Sequence, residues 1–299
     1  MQGGIRFDYR KVTADASGDH FINKGFVLPE NPENRQLIRE FKGFTASSGA
    51  TFRPSEKWRL RLNLASGFRA PDLAELFSNG PHPGTSRFEA GNAAFDREQN
   101  VQADLGIRFQ DSNFTISADA FYNQVDQYLF FAPTGEKKGN LIVWRYEQDD
   151  AMLFGGETYL RIHPSDVRWL SGMTSYSLVI GKKRTDGTYL PYVPGNKLEQ
   201  EINFTYKDIR SFHHPYLGLI GSWFMDQQMV APLEDATAGY FLVSLNFGSS
   251  FFLGKQKLDA FMGISNLFDR NYLNHLSLYR PFGISMMGRN STLHLKMNF

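Results

Sequence analysis

Apolar and polar residues alternate with a period of two along most of this chain. In 58–66, Trp58, Leu60, Leu62 and Leu64 alternate with Arg59, Arg61 and Asn63. In 101–110, Val101, Ala103, Leu105, Ile107 and Phe109 alternate with Gln102, Asp104, Arg108 and Gln110. The same beat recurs at 113–123, 152–162, 198–207 and 291–299. It is weaker at 3–11, 43–53, 168–180, 216–226, 239–247 and 257–265. Successive side chains of a strand point to opposite faces, so the pattern predicts about twelve strands, each greasy on one side and polar on the other. At roughly 9–13 residues they exceed the usual soluble strand of about 5–6 and suit a tilted crossing of a bilayer.

The connections between these strands alternate in length. Short ones lie around Pro54-Ser55-Glu56, Asp111-Ser112, Pro164-Ser165-Asp166, Asp208-Ile209-Arg210 and from Gly248 to Lys255. Long ones lie at 13–41, 68–97, 127–150, 182–197, 227–238 and 267–285. Outer-membrane barrels combine tight periplasmic turns with long outer loops. With the last strand ending in the periplasm at Phe299, every long connection falls outside the cell. A soluble β-sandwich or propeller also alternates, but its loops are short on both sides. The expected fold is therefore all-β, a transmembrane antiparallel barrel.

Composition agrees once this geometry is considered. A mean hydropathy of -0.38 with 21% charged residues fits a chain in which only every second residue meets lipid. No stretch approaches the roughly 20 apolar residues of a membrane helix. A net charge of +1 without a dense Lys/Arg patch gives no sign of a nucleic-acid partner. With no Cys, disulfides and thiolate metal sites are excluded. The first residues lack the basic and apolar regions of a signal peptide. The two edges of an open sheet would each leave about five backbone groups unpaired in hydrocarbon, at several kcal/mol apiece. The expectation is that residues 1–299 are the C-terminal part of a larger barrel, with about twelve strands present and the earlier portion absent. A self-standing twelve-stranded passive pore is the alternative.

Three short segments point to a family. Phe68-Arg69-Ala70-Pro71 followed by Glu75-Leu76-Phe77 resembles the FRAPxxxEL segment of TonB-dependent outer-membrane receptors. Asn266-Leu267-Phe268-Asp269 with Tyr272 resembles their NLFDxxY segment, and Phe299 resembles their terminal aromatic residue. The resemblance implies an outer-membrane barrel of about 22 strands around an N-terminal plug. It also implies nutrient uptake energised by TonB through that plug, and recognition of Phe299 by the barrel-assembly machinery. Outer-membrane lipid and a small extracellular ligand such as a metal chelate, siderophore, haem or zinc are the other implied partners. Ser78-Asn79-Gly80-Pro81-His82, Gly84-Thr85, Phe88-Glu89 and Gly91-Asn92 are similar to receptors of this family linked to zinc or haem uptake.

Imidazole and carboxylate suit such ions, so His82, Glu89 and His275, all in predicted outer loops, are the candidate metal ligands. His20 lies in a third loop, and no paired spacing such as HxxxH reinforces the set. No resident cofactor is expected. An outer-membrane lipase-type enzyme is the less favoured alternative. No G-x-S-x-G elbow occurs, and His163 and His294 fall near the periplasmic end. Arg59, Arg61, Asp104, Arg108, Asp119, Glu157 and Arg161 are predicted to face the lumen as a solvated, mutually paired wall. Trp58, Tyr122, Tyr206 and Trp223 are predicted to form interface girdles.

Overall fold

The computed structural model describes residues 1–15, 36–82, 85, 87–254 and 256–297. His20, Gly84 and Phe299 lie outside the described residues. The long strands are β1 (Gln2–Asp15), β2 (Gln36–Phe52), β3 (Trp58–Arg69), β6 (Glu98–Gln110), β7 (Phe114–Lys138), β8 (Leu141–Ile162), β9 (Leu170–Lys183), β10 (Lys197–Thr205), β11 (His213–Phe224), β12 (Tyr240–Leu253), β13 (Gln256–Ser265) and β14 (Asn290–Met297). They follow one another as antiparallel neighbours in a single sheet. Between β3 and β6 lie a short helix α1 (Leu73–Phe77) and a small hairpin of β4 (Asn79–His82) and β5 (Arg87–Ala90). The strand β5 pairs in parallel with the outer part of β8. Among the described residues β1 and β14 each pair on one side only, so they are the sheet's two edges.

All twelve long strands fall where the alternation puts them, and the predicted outward residues form a continuous apolar belt. Leu64, Leu105 and Leu293 are each 50% exposed or more. A monomer in water does not leave such a surface open; in lipid it is the favourable solvent contact. The opposite face is polar; of the seven charged residues expected to line it as a paired wall, Arg61 and Asp119 form an ion pair, while Arg59, Asp104, Arg108, Glu157 and Arg161 form none among the described residues. Arg61, Gly106 and Asp119 lie side by side in register, and Arg61 Nη2 reaches Asp119 Oδ1 at 2.8 Å. Gly106 allows this, because a Cβ there would collide with the Asp119 carboxylate. The girdle aromatics Trp58, Tyr122, Tyr206 and Trp223 are all exposed. At the short-turn end the Trp58 ring meets Phe109 edge-on at 4.9 Å, and Lys57 holds Asp111 of the next turn.

Three connections differ from the sequence expectation. Residues 127–150 are no open loop; β7 and β8 run on through them as one tall hairpin, with bulges at Val125/Tyr128 and Pro133/Lys137. The alternation fails there because the hairpin is covered on both faces over part of its length, which leaves two short apolar runs, 128–133 and 141–144, instead. Leu129 packs on one side, and Tyr128 and Phe130 on the other. Residues 68–97 contain α1, β4 and β5. The strand β12 continues to Leu253, past Gly248 where a turn was expected to begin, and β13 starts at Gln256. Gly248 instead marks close packing, where a Cβ would strike Tyr216 and Phe261.

Candidate functional site at the outer face

The described long connections gather at one end of the sheet, and two ion clusters with buried carboxylates organise them. The first is built by the segment that closes β3. Arg69 Nε donates to Glu98 Oε2 at 2.5 Å, and its Nη1 donates to both oxygens of Glu75 at 2.9 and 3.0 Å. Glu75 also accepts from the backbone N–H of Asp72, while Asp72 accepts from that of Glu75. This reciprocal cap is what starts so short a helix after Pro71. Glu98 Oε1 takes the N–H of Leu129 at 2.5 Å. One guanidinium thus fastens α1, the start of β6 and the tall hairpin together. Leu76, Phe77, Phe95, Phe41 and Leu129 bury themselves around it. Gly91 closes the fold-back, since a Cβ there would press on the carbonyls of Ala74 and Glu75.

The second cluster joins the connections 184–196, 225–239 and 266–289. Glu234 Oε1 lies 3.2 Å from His275 Nε2 and 3.3 Å from Arg280 Nη2. Backbone N–H groups of Tyr192 and Ala231 also donate to this carboxylate, at 3.2 and 3.1 Å. Arg280 Nη1 sits 2.6 Å from Thr237 Oγ1 and 2.5 Å from His275 Nδ1. A guanidinium can only donate, so His275 Nδ1 accepts and the ring proton falls on Nε2, facing Glu234. Burial pushes the Glu234 carboxyl up, but the His275 hydrogen bond and the two backbone donors outweigh it and hold it below its ordinary value. The connection 266–289 is further pinned by Asn266, which exchanges side-chain hydrogen bonds with the backbone of Arg270 at 2.8 Å in both directions. Its left-handed backbone, at φ 49°, makes that loop possible.

Tyr192 links the two clusters. Its N–H binds Glu234, and its ring stacks 6.0 Å from Trp144 on the tall hairpin. Burial, then the nearby Glu234 charge, pushes its hydroxyl up to about 12. Leu190 and Val193 of the same connection bury against Ala151, Tyr128 and Phe130.

The three candidate ligands occupy different surroundings. His82 is exposed at the end of β4, its Nδ1 3.2 Å from Thr85 Oγ1. Glu89 is buried on β5 and paired with Arg87 at 2.9 Å, and the Arg87 guanidinium lies over the rings of Phe131 and Trp144. His275 belongs to the second cluster, where Arg280 and Thr237 meet its Nδ1 and its buried Nε2 lies 3.2 Å from Glu234 Oε1. Among the described residues no group of three or more His, Asp and Glu surrounds a common point. Glu234, Thr237, Arg280 and Tyr192 escaped the sequence reading. They lie outside the periodic runs and the motif positions, and only contacts between distant segments bring them together.

The comparisons with known proteins agree with this architecture. A family model described as TonB dependent receptor-like, beta-barrel matches residues 1–267. Among solved structures, the copper transporter OprC is similar with a TM-score of 0.74 at 19% identity, covering 98% of this chain and 44% of that one. The FrpB iron transporter from Neisseria meningitidis gives 0.66 at 14% identity, covering 98% and 42%. The ferric-catecholate import receptor Fiu from K12 E. coli gives 0.59 at 16% identity, covering 98% and 41%. The chain spans less than half the length of each of these structures.

Proposed function

This chain belongs to the TonB-dependent receptor β-barrel family, and from that premise we propose that it is the ligand-capturing part of a nutrient-uptake receptor. Members of this family are outer-membrane transport receptors, not enzymes. The proposed cargo is a metal ion or metal chelate, a class that includes siderophores, haem and zinc. Similar structures include a copper transporter and an iron transporter. We further propose that additional strands close the sheet between β14 and β1, that a plug fills the lumen, and that TonB energises release through it.

One observation carries this reading. Among the described residues the outer connections are tied together: ion clusters around Arg69 and Glu234 hold α1, the tall hairpin and the connections 184–196, 225–239 and 266–289 at one end of the sheet. A site that must hold a dilute ligand needs such preorganisation, because ordering free loops at binding would subtract from affinity. A passive pore needs no such rim.

The test compares cells lacking the full-length receptor with cells expressing it, under limitation of copper, iron or zinc. Element accumulation is measured with the proton gradient intact and collapsed. Accumulation that depends on the receptor and on the gradient is expected. Accumulation that persists without the gradient indicates a pore, and no receptor-dependent change in any element or chelate removes the uptake reading.

A further inference from the structure

The opposite end of the sheet, away from the outer connections, holds a recess. It is an open cavity of about 1030 Å³ between the β8–β9 and β10–β11 turns, lined by Asp166, Arg168, Trp169, Tyr206 and Lys207. Trp169 and Tyr206 are 49% and 50% exposed. The Trp169 ring stacks on Phe204 at 6.2 Å, with the planes 17° apart. Phe204 pairs with Leu217, whose side chain and that of Leu219 are exposed on the apolar belt. The recess therefore opens where the belt ends, at the depth of lipid headgroups, and amphipathic rings favour that depth. Short turns mark this end as periplasmic.

The charges around the recess are of both signs. Asp208 is taken by His213 at 2.8 Å. Arg168 donates through Nε only to the Ser165 carbonyl, at 3.3 Å. Arg168, Lys207 and Asp166 form no ion pair among the described residues. Two cations and a free carboxylate beside two aromatic rings complement a zwitterion. A purely anionic headgroup would meet Asp166 and Asp208 as repulsive neighbours.

We propose that this recess binds the phosphoethanolamine headgroup of a glycerophospholipid. Arg168 and Lys207 meet the phosphate, Asp166 meets the ammonium, and the acyl chains lie along Phe204 and Leu217. A primary ammonium donates hydrogen bonds to a carboxylate. A trimethylated choline donates none, and a phosphoglycerol headgroup has no cation at all. The inference rests on the membrane orientation alone, and is independent of which nutrient is carried.

The full-length receptor, purified and delipidated in mild detergent, is titrated with short-chain phosphatidylethanolamine, phosphatidylcholine and phosphatidylglycerol, and bound lipid is counted by native mass spectrometry. The ethanolamine lipid is expected to bind most tightly. The double variant R168A/K207A should weaken it by about tenfold or more. The variant D166N should erase its advantage over phosphatidylglycerol without abolishing lipid binding. All three positions are exposed turn residues, and heat-modifiable gel mobility confirms that each variant remains a folded barrel. Equal affinity for the three headgroups, or R168A/K207A binding like the parent, overturns the proposal.

Discussion

Arg69 and Glu234 hold the two halves of the outer face by opposite arrangements. In the first cluster one guanidinium, itself 43% exposed, neutralises two carboxylates. In the second, one carboxylate only 3% exposed gathers an imidazole, a guanidinium and two backbone N–H groups. The first starts from a local tie, a strand end to the helix six residues on, and reaches the start of β6 and the tall hairpin through Glu98. The second joins three connections separated by dozens of residues. Local ties can be written as a motif, whereas a tie among distant loops is visible only after folding.

The two arrangements should fail differently, and the largest effect is expected in the second. Glu234→Ala strands a buried imidazole and guanidinium and orphans two N–H groups, at a cost of about 3–5 kcal/mol. Limited proteolysis of the full-length receptor should then cut within 184–196 and 266–289 and leave 70–97 intact. Cleavage spread equally over both halves would show that they form one unit. Arg69→Ala should cost less, about 2–3 kcal/mol, because solvent already reaches the guanidinium and can relieve the stranded carboxylates. Its cleavage should appear in 70–97, and protection there would contradict the role given to Arg69. Asn266→Ala should cost about 1–2 kcal/mol, loosening 266–289 alone by amide exchange.

Acid sharpens the contrast. The Glu234 carboxyl is held below its unfolded value of about 4.3, so its stabilisation is complete above that pH and fades as pH falls through the folded value. Amide exchange at Tyr192 and Ala231, corrected for intrinsic rate, should accelerate over that acidic range. A flat profile would mean that the carboxylate does not hold these N–H groups. The smallest stability effect belongs to His82→Ala, within about 0.5 kcal/mol for so exposed a ring. If His82 contributes to a metal site, this variant lowers metal affinity without loosening either cluster; unchanged affinity removes it from consideration.

Much of the barrel wall was legible because lipid enforces a rule at every second position. Trp58, Leu60, Leu62 and Leu64 announce their face without reference to any other strand. The Arg69 and Asn266 segments were legible as motifs, and the structure supplies their physics: a capped helix locked to a strand end, and a side chain that closes its own loop. Residues 127–150 were misjudged because burial on both faces of the hairpin erased the alternation. Glu234 and Arg280 left no trace, since nothing in the local sequence of a polar loop says which distant loop it will meet.

The tall hairpin adds a consequence of its own. Leu129 belongs to the packing around Arg69, and its neighbours Tyr128 and Phe130 belong to the packing around Leu190. A slip of β7 against β8 by a single residue would exchange these partners and spoil both halves of the rim at once. The hairpin therefore acts as a shared keel. Changes in the surrounding loops can be absorbed one at a time, whereas an insertion or deletion between Tyr128 and Tyr146 puts the whole mouth out of true.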